Sequence, residues 1–422
     1  VPTSEPDPDA PRHDPLLALR EANYRRFALS FLCSGIGLQA MNVTVLWGVW
    51  ETTRDALALG WTGVARAAPV VALTLVAGQA IDRLDRRRVY TVTQSLFVLV
   101  AIGLGIATLA GAPVGTVYLL LFLSGGVRAF NAPARASLLP ALVPGTSFEN
   151  AIAWNSGIFQ VSAIVGPLVA GGLIAATGAT WPAFALAAGL LAISAAASLG
   201  LRPRPVELDR TPLSLDSFLA GFRHIHREKT IFAAILLDLL AVLFGGATAL
   251  LPIFAEDILG VGPVGLGALR ASPFVGAGLM AGYLAIRPRI RHAGPTLLWS
   301  VAAFGVAMVV FGLSDSFTLS VLALAASGAV DNISVVVRHV LVQTRTPDRL
   351  RGRVSAVNSV FIECSNELGG FESGLVARWM GPVFSVVSGG IGTVAITGLI
   401  AWRFPILRAL RELRGPSEGN GR

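Results

Sequence analysis

Charge is scarce in this sequence. Asp, Glu, Lys and Arg make up 14% of its 422 residues, where a soluble domain carries about 25%. That shortage excludes an ordinary water-exposed globule. Lysine is all but missing: Lys229 is its one occurrence, so the positive charge rests on arginine. Cysteine occurs twice, as Cys33 and Cys364, both inside apolar segments. Neither metal-ligand spacing nor a disulfide framework follows from such a pair. There is no Walker A loop, which argues against ATP hydrolysis. Nothing resembles a catalytic triad, so no enzyme is expected. No metal or other cofactor is expected either, since Glu363 and Glu367 have only Cys364 beside them, which is short of a metal-ligand set. The ten-residue alternation of a membrane β-barrel is absent too.

What remains is apolar. The chain is 54% hydrophobic with a mean hydropathy of +0.67. The apolar residues come in runs of roughly 20, the length a helix needs to cross about 30 Å of hydrocarbon. Twelve spans are expected, near 27–50, 57–80, 89–111, 115–136, 150–175, 181–201, 231–255, 263–286, 294–314, 317–342, 353–377 and 382–405. The fold class is therefore all-α and integral to a lipid bilayer, with two six-helix bundles at 27–201 and 231–406. A proline- and acid-rich tail at 1–26 precedes them and a second tail, 407–422, follows. The polar piece 202–230 links the bundles, with Leu215, Phe218, Leu219, Phe222 and Ile225 on one face of an amphipathic helix. His224 and His226 are read there as solvated residues.

The net charge of +8 and isoelectric point near 10.6 would suggest nucleic acid in a soluble protein. Here the arginines sit in short loops, so topology explains them and no nucleic-acid partner is expected. One side carries Arg20, Arg25 and Arg26, the Arg83–Arg88 cluster, the linker, Arg345–Arg353 and Arg403–Arg414. The other side offers Arg54 and Arg378. Positive loops face the cytoplasm, which places both termini inside a multi-pass protein of the cytoplasmic, or inner, membrane. Trp50, Trp61, Trp181 and Trp379 fall near the outer ends, where an aromatic belt would lie.

The halves repeat at an offset of 203–204 residues. Gly63, Arg66 and Pro69 match Gly267, Arg270 and Pro273; Ser124, Gly125 and Arg135 match Ser327, Gly328 and Arg338; Asn155 matches Asn358. In the same register Arg128 falls opposite Asp331, so equivalent positions carry opposite charge. Parallel six-span repeats of this kind are the plan of the major facilitator superfamily.

Three stretches carry the resemblance further. Gly78-x-x-x-Asp82-Arg83-x-Asp85-Arg86-Arg87 resembles that superfamily's loop between spans 2 and 3, with Asp85 where the pattern has Gly. Gly166-Pro167 with Gly171-Gly172 looks like its glycine-proline motif of exporters and antiporters. Close helix packing through small residues is the physical role of such a motif. Leu350–Gly374 resembles the span 10–11 segment of the enterobactin-exporter family. The resemblance implies a major facilitator fold, a small-molecule substrate held near the midplane, and export of a siderophore or related amphipathic compound by proton antiport. It also implies that Asp82 meets the N-terminal end of span 11 as a conformational latch, with Gly78, Arg83, Arg86 and Arg87 beside it. A broad multidrug antiporter and a non-transporting sensor or assembly protein are the rival readings. A monomer is expected.

Ionisable groups inside spans cost about 2.5–3.5 kcal/mol each and are functional candidates. Glu363, Asn366 and Glu367 share one face of span 11. Two carboxylates that close resist joint ionisation, as a proton-coupling site requires. Asp238, alone among leucines, is the first choice for proton carrier, with Glu367, Glu363 and Asp331 behind it. Arg66, Arg128 and Arg270 either bind an anionic substrate group or pair with these acids. Gln39, Asn155 and Asn358 either line the cavity or bond between helices. Arg135 and Arg338 are placed at inner ends, where snorkelling suffices.

Overall fold

The structure, a computed structural model, describes residues 14–204, 215–286 and 292–411. The start of the N-terminal tail, the first part of the linker, the arginines 287–291 and the C-terminal tail beyond 411 lie outside the described residues. So do the side chains of Leu75, Asp82, residues 215–218, Asp348, Arg349 and Ala356.

Twelve long helices are present among the described residues. The first half holds α1 (Ala22–Thr53), α2 (Ala56–Arg83), α3 (Arg86–Leu109), α4 (Val114–Leu142), α5 (Phe148–Thr177) and α6 (Trp181–Leu199). The second holds α7 (Lys229–Gly245), α8 (Gly262–Ile286), α9 (Ala293–Gly312), α10 (Phe317–Arg345), α11 (Asp348–Met380) and α12 (Pro382–Arg403). Among the described residues eleven segments are long and apolar enough to cross a membrane. The exception, α11, has 33 residues and carries Glu363, Glu367 and Glu372, which lower its hydropathy without shortening it. Helix ends run up to six residues past the expected spans, most at α4, which continues to Leu142.

Each half packs by the same scheme. In the first, α2 lies on α4, α1 on α5 and α6, and α3 on α4 and α6; in the second, α8 lies on α10, and α9 on α10 and α12. The matched glycines explain part of that symmetry. A Cβ at Gly125 would collide with the Arg66 carbonyl, and one at Gly328 with the Pro273 carbonyl. Both glycines let a helix meet its neighbour's backbone beside a proline, as small residues do in membrane bundles. Gly125→Val and Gly328→Val are each expected to cost about 1–3 kcal/mol by overpacking. The yield of monodisperse protein in detergent should fall for both, while Gly172→Val, with open space around its Cβ position, should leave it unchanged.

One span is not continuous. α7 stops at Gly245, a 3-10 turn follows at Ala247–Ala249, and Phe254–Ile258 is π-helical. Gly245 takes the edge of the Phe304 ring and Gly246 rests on the Gly369 backbone. Broken backbone at membrane depth is tolerated where protein or a cavity surrounds it.

At the hairpin between α2 and α3, Asp85 caps α3, accepting from the backbone N–H groups of Arg87 and Arg88 at 2.9 and 3.3 Å. Its φ of −64° is ordinary, so the turn does not require glycine there. Arg87 donates to the Leu199 carbonyl. The linker helix Leu215–Arg227 packs on α11, with Gly221 against Arg353 and Ile225 buried. Trp50 is buried rather than part of a belt, while Trp61, Trp181 and Trp379 are exposed.

Candidate functional site

The two bundles meet along α2–α11 and α5–α8. At the end away from the arginine-rich loops these seams are tight. Gly60 lies on the backbone of Phe371, Gly374 on that of Ala56, and the Trp61 and Phe371 rings meet at 5.0 Å. Across the other seam Gly171 lies on the Pro263 carbonyl and Gly267 on the Pro167 carbonyl, while Gln160 donates to the Phe274 carbonyl. Gly166 packs inside its own half, where a Cβ would stand 2.6 Å from Gln39 Cβ. Ion pairs finish this end. Arg54 reaches Glu256 at 2.6 Å and Asp257 at 3.4 Å, and Arg378 reaches Asp55 at 3.2 Å. The hydrogen bond with Glu256 holds the Arg54 guanidinium above its usual range.

Between this seal and the arginine-rich end lies a cavity of about 440 Å³. Four arginines line it, Arg66, Arg128, Arg135 and Arg270, against two acids, Glu363 and Glu367. Arg66 donates to Asn42 at 2.7 Å and to Glu367 at 3.2 Å. Arg128 donates to Glu363 at 3.1 Å. The two bonds to glutamate cross between the halves. The two glutamates were expected to share a site; instead each holds its own arginine. One helical turn separates them on α11, and that turn aims one at α2 and the other at α4. Asn366 lies between, donates back to the Ile362 carbonyl at 2.8 Å, and faces the cavity.

The other two arginines have no acid. Arg270 makes no hydrogen bond or ion pair among the described residues, although Arg66 and Glu367 are close enough to act on it electrostatically. Arg135 lies over the Phe31 ring at 4.4 Å, with Arg128 and Tyr90 nearby. Such contact of a guanidinium with a ring face is favourable but does not neutralise the charge. The cavity thus keeps two positive charges in excess.

A second, more apolar cavity of about 340 Å³ lies within the C-terminal half, and Arg270 and Asn366 stand in the wall between the two. Asp238 and Asp331 face it. Asp238 is not alone, as its leucine neighbours suggested: it is in contact with Arg338. That arginine is not snorkelling at an inner end, because its side chain is only 6% exposed. Asp331 is near enough to feel both charges and has no ion pair of its own among the described residues. One arginine cannot neutralise two carboxylates, so this triad has room for one exchangeable proton.

Other expected residues lie elsewhere. Asn155 accepts from the Tyr24 hydroxyl at 3.0 Å and ties α5 to α1, so it serves packing rather than the cavity. Asn358 reaches neither cavity. Gln39 does line the central one. The latch expected at Asp82 falls on a side chain outside the described residues. Arg135 and Arg338, expected at inner ends, belong to the sites as well. Their matched positions in the repeat, one residue type at equal depth in both halves, carried the signal.

The fold and site can be set beside known proteins. A family model described as the Major Facilitator Superfamily matches residues 27–370. The enterobactin exporter EntS of Shigella boydii serotype 18 is 25% identical over 393 residues, covering 92% of this chain and 93% of that protein. Its counterpart from Escherichia coli O81 aligns equally well. Among solved structures, a bacterial homolog of the human lysosomal transporter Spinster, inward-facing and occupied, gives a TM-score of 0.69 at 15% identity, covering 92% of this chain and 98% of that one. The nucleoside transporter NupG gives 0.69 at 13%, covering 92% and 99%. At such identities the structural likeness speaks to the fold alone.

Proposed function

This chain belongs to the Major Facilitator Superfamily, and from that premise we propose that it is a proton-coupled exporter of an acidic, amphipathic small molecule of siderophore-like kind, working by alternating access. It is a multi-pass membrane transporter, and its family works by transport rather than catalysis. The observation that carries the substrate reading is the positive excess of the central cavity, four arginines against two glutamates. A cavity of one sign concentrates solutes of the other. The curated relatives are named exporters of enterobactin, which supports outward transport. So does energetics: carrying one negative charge outward across an inside-negative membrane gains about 2.3 kcal/mol per 100 mV.

In this reading the membrane is the cytoplasmic one, both termini lie inside, and the cavity faces the cytoplasm. Solute enters between the halves, displaces water from Arg270 and Arg135, and is released after the seal at Gly60, Gly171, Gly267 and Gly374 opens. The proton rides on the Asp238–Arg338–Asp331 triad, entering from outside and leaving inside during the return. Glu363 and Glu367 hold Arg128 and Arg66 across the interface until the halves part. Since one chain encloses the cavity, a monomer suffices.

The reading is tested by comparing acidic metabolites in culture medium with and without the gene. An aromatic or amphipathic acid that disappears from the medium and accumulates in the cells supports it; identical media contradict it.

The outer ion pairs give a second expectation. Exposed pairs contribute about 0.2–1 kcal/mol each. Replacing both Arg54 and Arg378 by Ala should therefore raise opening of the outer seal by about two- to thirtyfold. Thiol labelling of a cysteine placed at Phe371 would report it. High salt should do the same to the otherwise unaltered protein, because it screens such pairs. Unchanged labelling under both treatments would mean that the glycine seams alone set the equilibrium.

A further inference from the structure

The arginines of the central cavity form two neighbouring couples, Arg128 beside Arg135 and Arg66 beside Arg270. In each couple one member is neutralised by a glutamate of α11, Arg128 by Glu363 and Arg66 by Glu367. In each couple the other member keeps its charge. We propose that the solute carries two separated acidic groups, one held by Arg135 in the N-terminal half and the other by Arg270 in the C-terminal half. The inference rests on the exporter reading above and adds the solute's charge pattern to it.

The repeat shows that both charges are left over for a reason. Arg135 matches Arg338, whose acid is Asp238. The position matching Asp238 in the first half is Ser34 or Gly35, and both stand in the cavity wall without a charge. Arg270 matches Arg66, whose acid is Glu367. Each unneutralised arginine is thus the repeat partner of a neutralised one. A guanidinium in a membrane-embedded site without an acid is costly, and here the missing acid has to arrive with the solute. Guanidinium suits this task, since its fork takes a carboxylate by two parallel hydrogen bonds.

The walls between the two poles are partly aromatic. Phe31 lies under Arg135, and Phe159 meets Phe274 at 6.2 Å. An aromatic or otherwise flat spacer fits between the acidic groups better than a sugar-like one. A monoacid would satisfy one pole and leave the other charged.

The test is equilibrium binding to the full chain purified in detergent, followed by tryptophan fluorescence. The probes are terephthalate and biphenyl-4,4′-dicarboxylate, each against its monoacid, benzoate or biphenyl-4-carboxylate, with inorganic sulfate as a compact dianion. At least one diacid should bind about tenfold or more tighter than its monoacid, the return for one added charge-assisted contact. Arg135→Gln and Arg270→Gln should each abolish that advantage, and Arg135→Lys and Arg270→Lys should keep part of it. Thermal melting confirms that each variant is folded; if a Gln variant is not, the Lys variant and the wild-type ratio decide. The inference is overturned if no diacid outbinds its monoacid, if the advantage survives either Gln substitution, if sulfate binds as well as the diacids, or if no probe binds. Should the gene still govern export of a monoacid, the exporter reading stands and only the two-pole inference fails.

Discussion

Asp331→Asn is expected to leave the protein folded and able to exchange solute across the membrane, yet unable to use a pH gradient to concentrate it. The reason lies in the charge balance of the triad. Asp238 and Arg338 are in contact and neutralise one another. Asp331 adds a second carboxylate that Arg338 cannot also neutralise, so in the proposed cycle the exchanged proton belongs to the three groups together. Asparagine keeps the shape and removes the proton. One pH unit is worth about 1.36 kcal/mol, so a gradient of about two units could sustain roughly a hundredfold accumulation at one proton per solute. Asp331→Asn should bring that ratio to about one, while solute–solute exchange persists. Asp238→Asn should also uncouple, because Arg338 then takes Asp331 as its partner and fixes it in the charged form. Coupling that survives both substitutions would move the proton to Glu363 or Glu367.

Arg338→Met is expected to be the most destabilising single change at these sites. Its side chain is 6% exposed and lies against Asp238, itself 11% exposed by side chain. Methionine fills much of the space but leaves the aspartate without a counter-charge. Removing one partner of a buried pair costs about 3–5 kcal/mol, whereas removing both is often neutral. The double variant Arg338→Met with Asp238→Asn should therefore recover much of the loss. Thermal melting in detergent checks this: the single variant should melt well below the wild type and the double between them. A double variant no better than the single would mean that the arginine acts by packing alone, through its apolar stem.

Much of the architecture was legible because membrane spans obey a simple constraint. Backbone groups must be satisfied within a helix, so apolar runs of the right length mark helices directly. Arginine loops mark the ends in the same way, and the repeat register located Gly125 against Gly328 and Arg66 against Arg270. Depth was harder to read. Arg338 falls near the inner end of the expected span 317–342, but α10 runs to Arg345 and Arg338 is buried in the bundle. Asp238 looked solitary because its partner is on another span and nothing local announces it. The break after Gly245 was invisible for a related reason: a Gly-Gly pair in a span reads as packing until Phe304 and Gly369 are seen to occupy the space. Helical spacing put Glu363 and Glu367 on one face correctly, yet a shared face does not imply a shared partner. Arg54 and Arg378 were counted as topology markers, and their acids Glu256, Asp257 and Asp55 became visible only once the halves were docked.

The most direct test of the account couples two fluxes in one experiment. Protein is reconstituted into vesicles carrying an internal pH dye, and the solute identified from the medium comparison is supplied on the side of the arginine-rich loops. The account predicts that solute and protons cross in opposite directions, that Asp331→Asn abolishes the proton flux, and that solute exchange remains. Solute transport with no accompanying proton movement, or with protons travelling alongside the solute, would contradict it.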